Sequence, residues 1–168
     1  MQSFFRLFWK ISLLQKGPQD VPPPMPFLVL LFVTLVITAA MVGGLYDKTV
    51  ESVQVESVNA VIMTVLVAVF LYLRNHGARF NQTMSAIFGI GILFNLFTLG
   101  LALIDKLGFL PGFLHLQIEL LLVIWQITVI GHILRHAMEI HIAFAILIAI
   151  LFLFINMAVV TVLAPVAS

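Results

Sequence analysis

Apolar residues fall into five long blocks separated by short polar links. The blocks cover residues 27–46, 58–73, 84–104, 116–134 and 140–163. About 20 apolar residues are needed to cross the hydrocarbon of a bilayer. Because backbone polar groups cannot be left facing lipid, each block is predicted to be a helix, and the continuous runs do not fit alternating barrel strands. The short links predict antiparallel neighbours, and therefore a compact bundle of five transmembrane helices.

Composition agrees with this all-α membrane class. Of 168 residues, 62% are hydrophobic and only 9% are charged, whereas a soluble domain averages roughly 45–50% and about 25%. A globule of this size leaves much of its surface exposed, so such an excess cannot be hidden inside it. The lipid bilayer is therefore the first predicted partner.

Charge and motifs narrow the function by exclusion. A net charge of +1 provides no field for nucleic acid. The absence of Cys excludes disulfides, thiolate metal sites and thiol nucleophiles. There is no phosphate-binding loop and no Gly-x-Ser-x-Gly motif. The sequence predicts neither an enzyme nor a cofactor.

Residues 1–26 precede the first block and mix aromatic, basic and proline residues. Arg6, Trp9 and Lys10 lie among several phenylalanines, a pattern typical of an amphipathic helix on the membrane surface. The alternative is a frayed tail. The prolines of "GPQDVPPPMP" cannot continue a helix, so this stretch is predicted to be a spacer. At the other end of the chain, residues 164–168 are predicted to form a short external tail.

Lys and Arg predict the orientation. The N-terminal segment, the second link and the fourth link together hold six of the eight basic residues. By the positive-inside rule these segments are cytoplasmic, which places the C-terminus outside and is consistent with a bacterial inner membrane. The predicted cytoplasmic interface anchors are Arg6, Trp9, Lys10, Arg74, Arg79 and Arg135.

A polar stripe follows the fourth block. At 100° per residue, His115, Glu119, Gln126 and His136 share one face of a helix. One hypothesis is a proton or cation path in which Glu119, the only acidic residue inside any predicted span, titrates and Gln126 relays. The other, which we favour, is packing through hydrogen bonds to neighbouring spans. The partners expected for packing are Asn59, Thr64, Asn95, Thr98 and Asn156.

The end of the same block carries His132, His136 and Glu139 at helical spacing. Their side chains suit zinc or iron, so they are a candidate metal site. Five histidines are too few for the histidine boxes of membrane di-iron oxidases. The alternative is the polar end of a span at the cytoplasmic interface, where cationic groups are favourable. We favour this interface interpretation.

The overall layout resembles the compact Yip1-domain membrane proteins, and more particularly small bacterial inner-membrane proteins of that shape. The segments that carry the resemblance are "LLQKGPQDVP" before the first block and "WQITVIGHILRH" in the fourth. It implies a scaffold or trafficking-type role through protein or lipid partners. We therefore expect a non-enzymatic accessory or assembly factor, with a membrane-protein partner or a second copy of itself. Proton or cation transport is the alternative.

Overall fold

The fold is known from a computed structural model that describes residues 2–22, 24–109 and 111–163. Every regular element in these ranges is helical, which confirms the predicted all-α class. Two 3-10 turns, Pro18–Asp20 and Gly77–Arg79, interrupt the connections. The α-helices are α1 (Gln2–Ser12), α2 (Met25–Gly44), α3 (Thr49–Leu73), α4 (Phe80–Lys106), α5 (Gly112–Met138) and α6 (Ile142–Leu163).

Four helical segments are long and apolar enough to cross a membrane: α2, α3, α5 and the stretch Gly77–Lys106 that contains α4. In α6 the described apolar stretch, Ile142–Ala158, is shorter. These helices are consistent with an integral membrane protein. The predicted tail, 164–168, lies outside the described residues.

Helix α3 differs from its prediction because it begins at Thr49 rather than at residue 58. The polar stretch taken for a link contains neither Pro nor Gly, so nothing in it stops a helix. Glu56 consequently lies two turns inside a helix that can span the membrane. Glu56 is therefore, besides Glu119, an acidic residue in a helix that is long and apolar enough to span the membrane.

The first five α-helices end in the same way. Each is followed by a residue with positive φ, and the next residue donates its N–H to the carbonyl five positions earlier. This bond satisfies a carbonyl that the helix leaves unpaired and turns the chain sharply. The sharp turns explain why successive helices run antiparallel. The residues with positive φ are Leu14, Asp47, Asn75, Gly108 and Glu139.

Helix α4 is the centre of the bundle and contacts α1, α2, α3 and α5, while α6 packs on α5 and α3. The core includes Leu71, Met84, Ile90 and Ile133, all fully buried. Large apolar side chains also cover the outside of the bundle, where lipid would be their solvent. On α6 these include Phe144, Leu147, Leu151 and Phe154.

Helix α1 packs against the bundle. The ring of Phe8 lies directly over Gly89 of α4, where any Cβ atom would overlap it. The ring of Trp9 contacts Phe97 and Trp125, with centroids 6.0 Å and 6.4 Å away. Arg6 and Lys10 are exposed on the other side of α1.

Replacing Gly89 with Leu should release α1 from the bundle, because the new side chain occupies the volume of the Phe8 ring. We expect faster hydrogen exchange in residues 2–16 and a loss of about 1–3 kcal/mol of stability, as for other overpacked sites. The matched control is Gly100→Leu on the same helix, since a Cβ there meets nothing within 4 Å. Equal exchange in the two variants would contradict this packing.

Candidate functional site

A polar cavity of about 300 Å³ lies inside the bundle, and α2, α3, α4, α5 and α6 all contribute to its wall. Its polar lining consists of Glu56, Asn59, Asn95, Gln126 and Asn156. Its apolar lining consists of Leu35, Ala60, Met63, Ile87, Phe88, Ile90, Gly91 and Ile130. A carboxylate and four amides at one place are unusual in a protein of this composition, since polar groups at bilayer depth are costly.

Several oxygen atoms of this cavity lack partners within the described part of the chain. The Oδ1 atoms of Asn59 and Asn156 are buried and accept no hydrogen bond. The Glu56 carboxylate has no hydrogen bond or ion pair there either. Buried polar atoms in folded proteins are nearly always paired, so a cluster of exceptions needs an explanation. All three groups can accept, and what they lack is a donor or a cation.

Asn95, unlike Asn59 and Asn156, is fixed by hydrogen bonds of its side chain. Its Nδ2 donates to Thr38 Oγ1 at 3.2 Å and to the Leu35 carbonyl at 3.4 Å, both on α2. Thr38 in turn donates to the Leu35 carbonyl at 2.8 Å. These bonds join α4 to α2 and fix the orientation of one amide in the cavity wall.

The predicted stripe on α5 divides into two parts. Gln126 lines the cavity together with three of the predicted partners, Asn59, Asn95 and Asn156. Of the other two, Thr64 donates to its own helix at the Ala60 carbonyl, and Thr98 lies outside the lining.

Glu119 lies elsewhere, with 49% of its side chain exposed, and its Oε1 is 3.0 Å from His115 Nε2. The other ring nitrogen of His115 lies 3.5 Å from the Asp105 carboxylate at the end of α4. Three neighbouring apolar residues of α5 are also exposed, Phe113, Leu116 and Leu120. Glu119 therefore lies on the same face of α5 as Gln126, as predicted. It lies at a level where little protein covers that helix.

The candidate metal ligands at the end of α5 do not converge. His132 Nε2 donates to the Lys16 carbonyl at 3.0 Å, and the ring of His136 packs edge-on against that of His132. Glu139 follows the end of α5 with φ 53°, so the helical spacing assumed for it does not apply. Among the described residues, no group of three His, Asp or Glu side chains could hold a metal ion.

Glu139 and Arg79 instead form an ion pair that caps α5. Arg79 Nη2 lies 2.6 Å from Glu139 Oε1, and its Nη1 donates to the carbonyls of His136 and Ala137 at 3.3 Å and 3.4 Å. Arg79 thereby satisfies carbonyls that the end of a helix leaves unpaired. Its hydrogen bond and charge hold the pKa of Glu139 below the ordinary value.

The predicted interface anchors Arg74, Arg79 and Arg135 all follow or precede helix ends on one side of the bundle, which we call the arginine end. His76, two residues after Arg74, reaches Glu139 at 3.5 Å. Trp9, the aromatic residue among the predicted anchors, packs against α4 and α5.

Helix α5 also holds the N-terminal segment. Trp125 Nε1 donates to the Ser12 carbonyl at 2.8 Å, and His132 does the same for Lys16. The two side chains are seven residues apart and therefore share a face of α5. His132 thus has a structural role, and the first residues of the chain are fixed to the helix that contributes Gln126 to the cavity.

No family model, curated protein or solved structure matches this chain.

Glu139→Gln should lower the melting temperature at neutral pH. A carboxylate with a lowered folded-state pKa stabilises the protein above its unfolded value, about 4.3, and this contribution is lost as pH falls through the folded value. The difference in melting temperature between the native protein and the variant should therefore shrink in acid. Arg79→Gln should remove most of this pH dependence, and a difference that grows in acid would contradict the pairing.

Proposed function

We propose that the protein binds a proton or a small cation in the polar cavity and carries it across the membrane. The observation that carries the proposal is the Glu56 carboxylate, which faces the cavity without a partner in the described structure, beside the unpaired oxygens of Asn59 and Asn156. An isolated negative charge is costly in such surroundings, so the carboxylate is stable with a proton or with a cation beside it.

The chemistry of the cavity lining supports the binding of a proton or a small cation. Hard cations prefer oxygen ligands from carboxylates and amides, and these are the groups that the cavity presents. Because five helices contribute to the wall, a small shift of one helix against another would change the number of oxygens around the bound ion. A site of this kind can bind and release without unfolding any helix.

The membrane arrangement that goes with this function has five spans. Helix α6 has 22 residues, about 33 Å at 1.5 Å per residue, against a hydrocarbon thickness of about 30 Å. The arginine end faces the cytoplasm of a bacterial inner membrane, and the C-terminus lies outside. The distribution of basic residues supports this orientation. Helix α1 packs on Gly89, Phe97 and Trp125, which lie well inside α4 and α5, so it runs along the bundle rather than flat on the interface. The residues after it reach the arginine end, where the Lys16 carbonyl meets His132.

Glu56→Gln should abolish cation or proton flux in vesicles that contain the purified protein, because it removes the one charge that the described residues place in the cavity wall. Glu119→Gln is the matched control, since the side chain of Glu119 is exposed and lies outside the cavity. It should leave flux within about twofold of the native protein. Flux is followed with a pH-sensitive dye and with sodium or potassium tracers.

Comparison of the two variants shows which of the two carboxylates the flux depends on. Flux lost in Glu119→Gln and kept in Glu56→Gln would contradict the proposal, as would no flux of any of these ions in the native protein. The melting temperature and elution volume of Glu56→Gln show whether lost flux reflects lost structure.

A second candidate function is the accessory role implied by the Yip1-like layout. The outward side of α1 supports it, since Phe5 is 57% exposed and Arg6 and Lys10 project beside it. Deleting α1 is a poor test because α1 packs on the bundle, so substitution of Arg6 and Lys10 by Ala is preferable. The accessory role predicts a membrane-protein partner that co-purifies with the native chain and is lost in this variant. Repeated isolation of the native protein alone would contradict it.

A further inference from the structure

A second cavity, of about 400 Å³, lies at the arginine end and shares no lining residue with the polar cavity described above. It is bounded by the turn Pro18–Asp20, the start of α4 and the end of α5. Its polar lining consists of Gln19, Arg79, Gln82, Thr83, Arg135, His136 and Glu139. The electrostatics of this cavity are opposite to those of the Glu56 cavity.

Arg135 is the unpaired charge of this second cavity. Its guanidinium is exposed and makes no hydrogen bond or ion pair with any described residue, so its donors are free for a ligand. Arg79 and His76 already occupy the Glu139 carboxylate, so that carboxylate does not compensate Arg135. A guanidinium presents five N–H donors in a planar arrangement that matches the oxygens of a carboxylate or phosphate.

The end of α5 would normally repel an anion, because its last carbonyls carry partial negative charge. Here Arg79 donates to the carbonyls of His136 and Ala137 and covers them. The repulsion is thus reduced at the place where Arg135 meets the cavity. Gln19 and Gln82 add neutral amide donors from two other segments of the chain.

We propose that this second cavity binds a phosphate group, with Arg135 as its charged ligand and Arg79, His136 and the two glutamines around it. A volume of about 400 Å³ accommodates a phosphate together with a small substituent. The group can come from a lipid headgroup, since the cavity lies at a helix end, or from phosphate in solution. This inference does not rest on cation transport, because the two cavities share no lining residue.

The test uses the purified full-length protein in a detergent that contains no phosphate, with two probes. Inorganic phosphate is titrated by calorimetry against chloride at equal ionic strength. Short-chain phosphatidylglycerol is added separately, and bound lipid is counted by native mass spectrometry. Binding of phosphate alone identifies a soluble ligand, and binding of the lipid alone identifies a headgroup.

Arg135→Gln should weaken binding of the effective probe about tenfold or more, the effect expected for one hydrogen-bonded charge. The matched control is Arg74→Gln, which removes an exposed arginine near the same end that lies outside the cavity; it should leave binding unchanged. Gln19→Ala provides a second cavity variant at an exposed turn position and should weaken binding several-fold. Melting temperatures verify that each variant is folded.

Two results would overturn the proposal. One is that the native protein binds neither probe. The other is that the folded cavity variants bind as tightly as the native protein, or lose no more affinity than Arg74→Gln, because the anion would then be held by general surface charge.

Discussion

The interior of a bilayer offers no water, so each polar group inside the bundle needs a partner from the protein, and this constraint organises the structure. Asn95 meets it through Thr38, and Trp125 and His132 meet it through backbone carbonyls of the N-terminal segment. The exceptions in the described structure gather around Glu56, where two amide oxygens are also unpaired. Two further exceptions lie outside the cavity, Ser85 Oγ and His115 Nδ1. A helical hydroxyl can turn toward a carbonyl of the preceding turn, and His115 Nδ1 lies 3.5 Å from the Asp105 carboxylate.

The cavity depends on contacts far from it. It exists because α3 starts early enough to carry Glu56 into the bundle and because Asn95 anchors α4 to α2. Helix α5, which supplies Gln126, is held at its end by Arg79 and along its side by α1. The same end of α5 leaves Arg135 unpaired beside the second cavity. The bundle therefore presents an acidic cavity inside and a basic cavity at one end, and both depend on α5.

The fold was largely predictable from the sequence because long apolar blocks leave few alternatives to helices. The site was only half predictable. Gln126 was expected to hydrogen-bond to amides on neighbouring helices. Three of those amides do line one cavity with it, but no hydrogen bond joins Gln126 to them in the described structure. Glu56 was assigned to a link because it lies at the polar edge of a block. Glu119 was misplaced for another reason: helical periodicity gives the face of a residue but not the level at which neighbouring helices cover that face. The partners of Trp125 and His132 had no local signal, since they are backbone carbonyls more than 100 residues away.

The most direct measurement of the central claim is the chemical modification of carboxyl groups by an apolar carbodiimide, mapped by mass spectrometry on the purified protein. Such reagents react with protonated carboxyls in apolar surroundings. We expect Glu56 to be the principal modified residue, with modification falling as pH rises or as a bound cation displaces the proton. Modification confined to exposed carboxyls such as Glu119, with Glu56 unreacted at every pH, would contradict the assignment of the cavity as a proton or cation site.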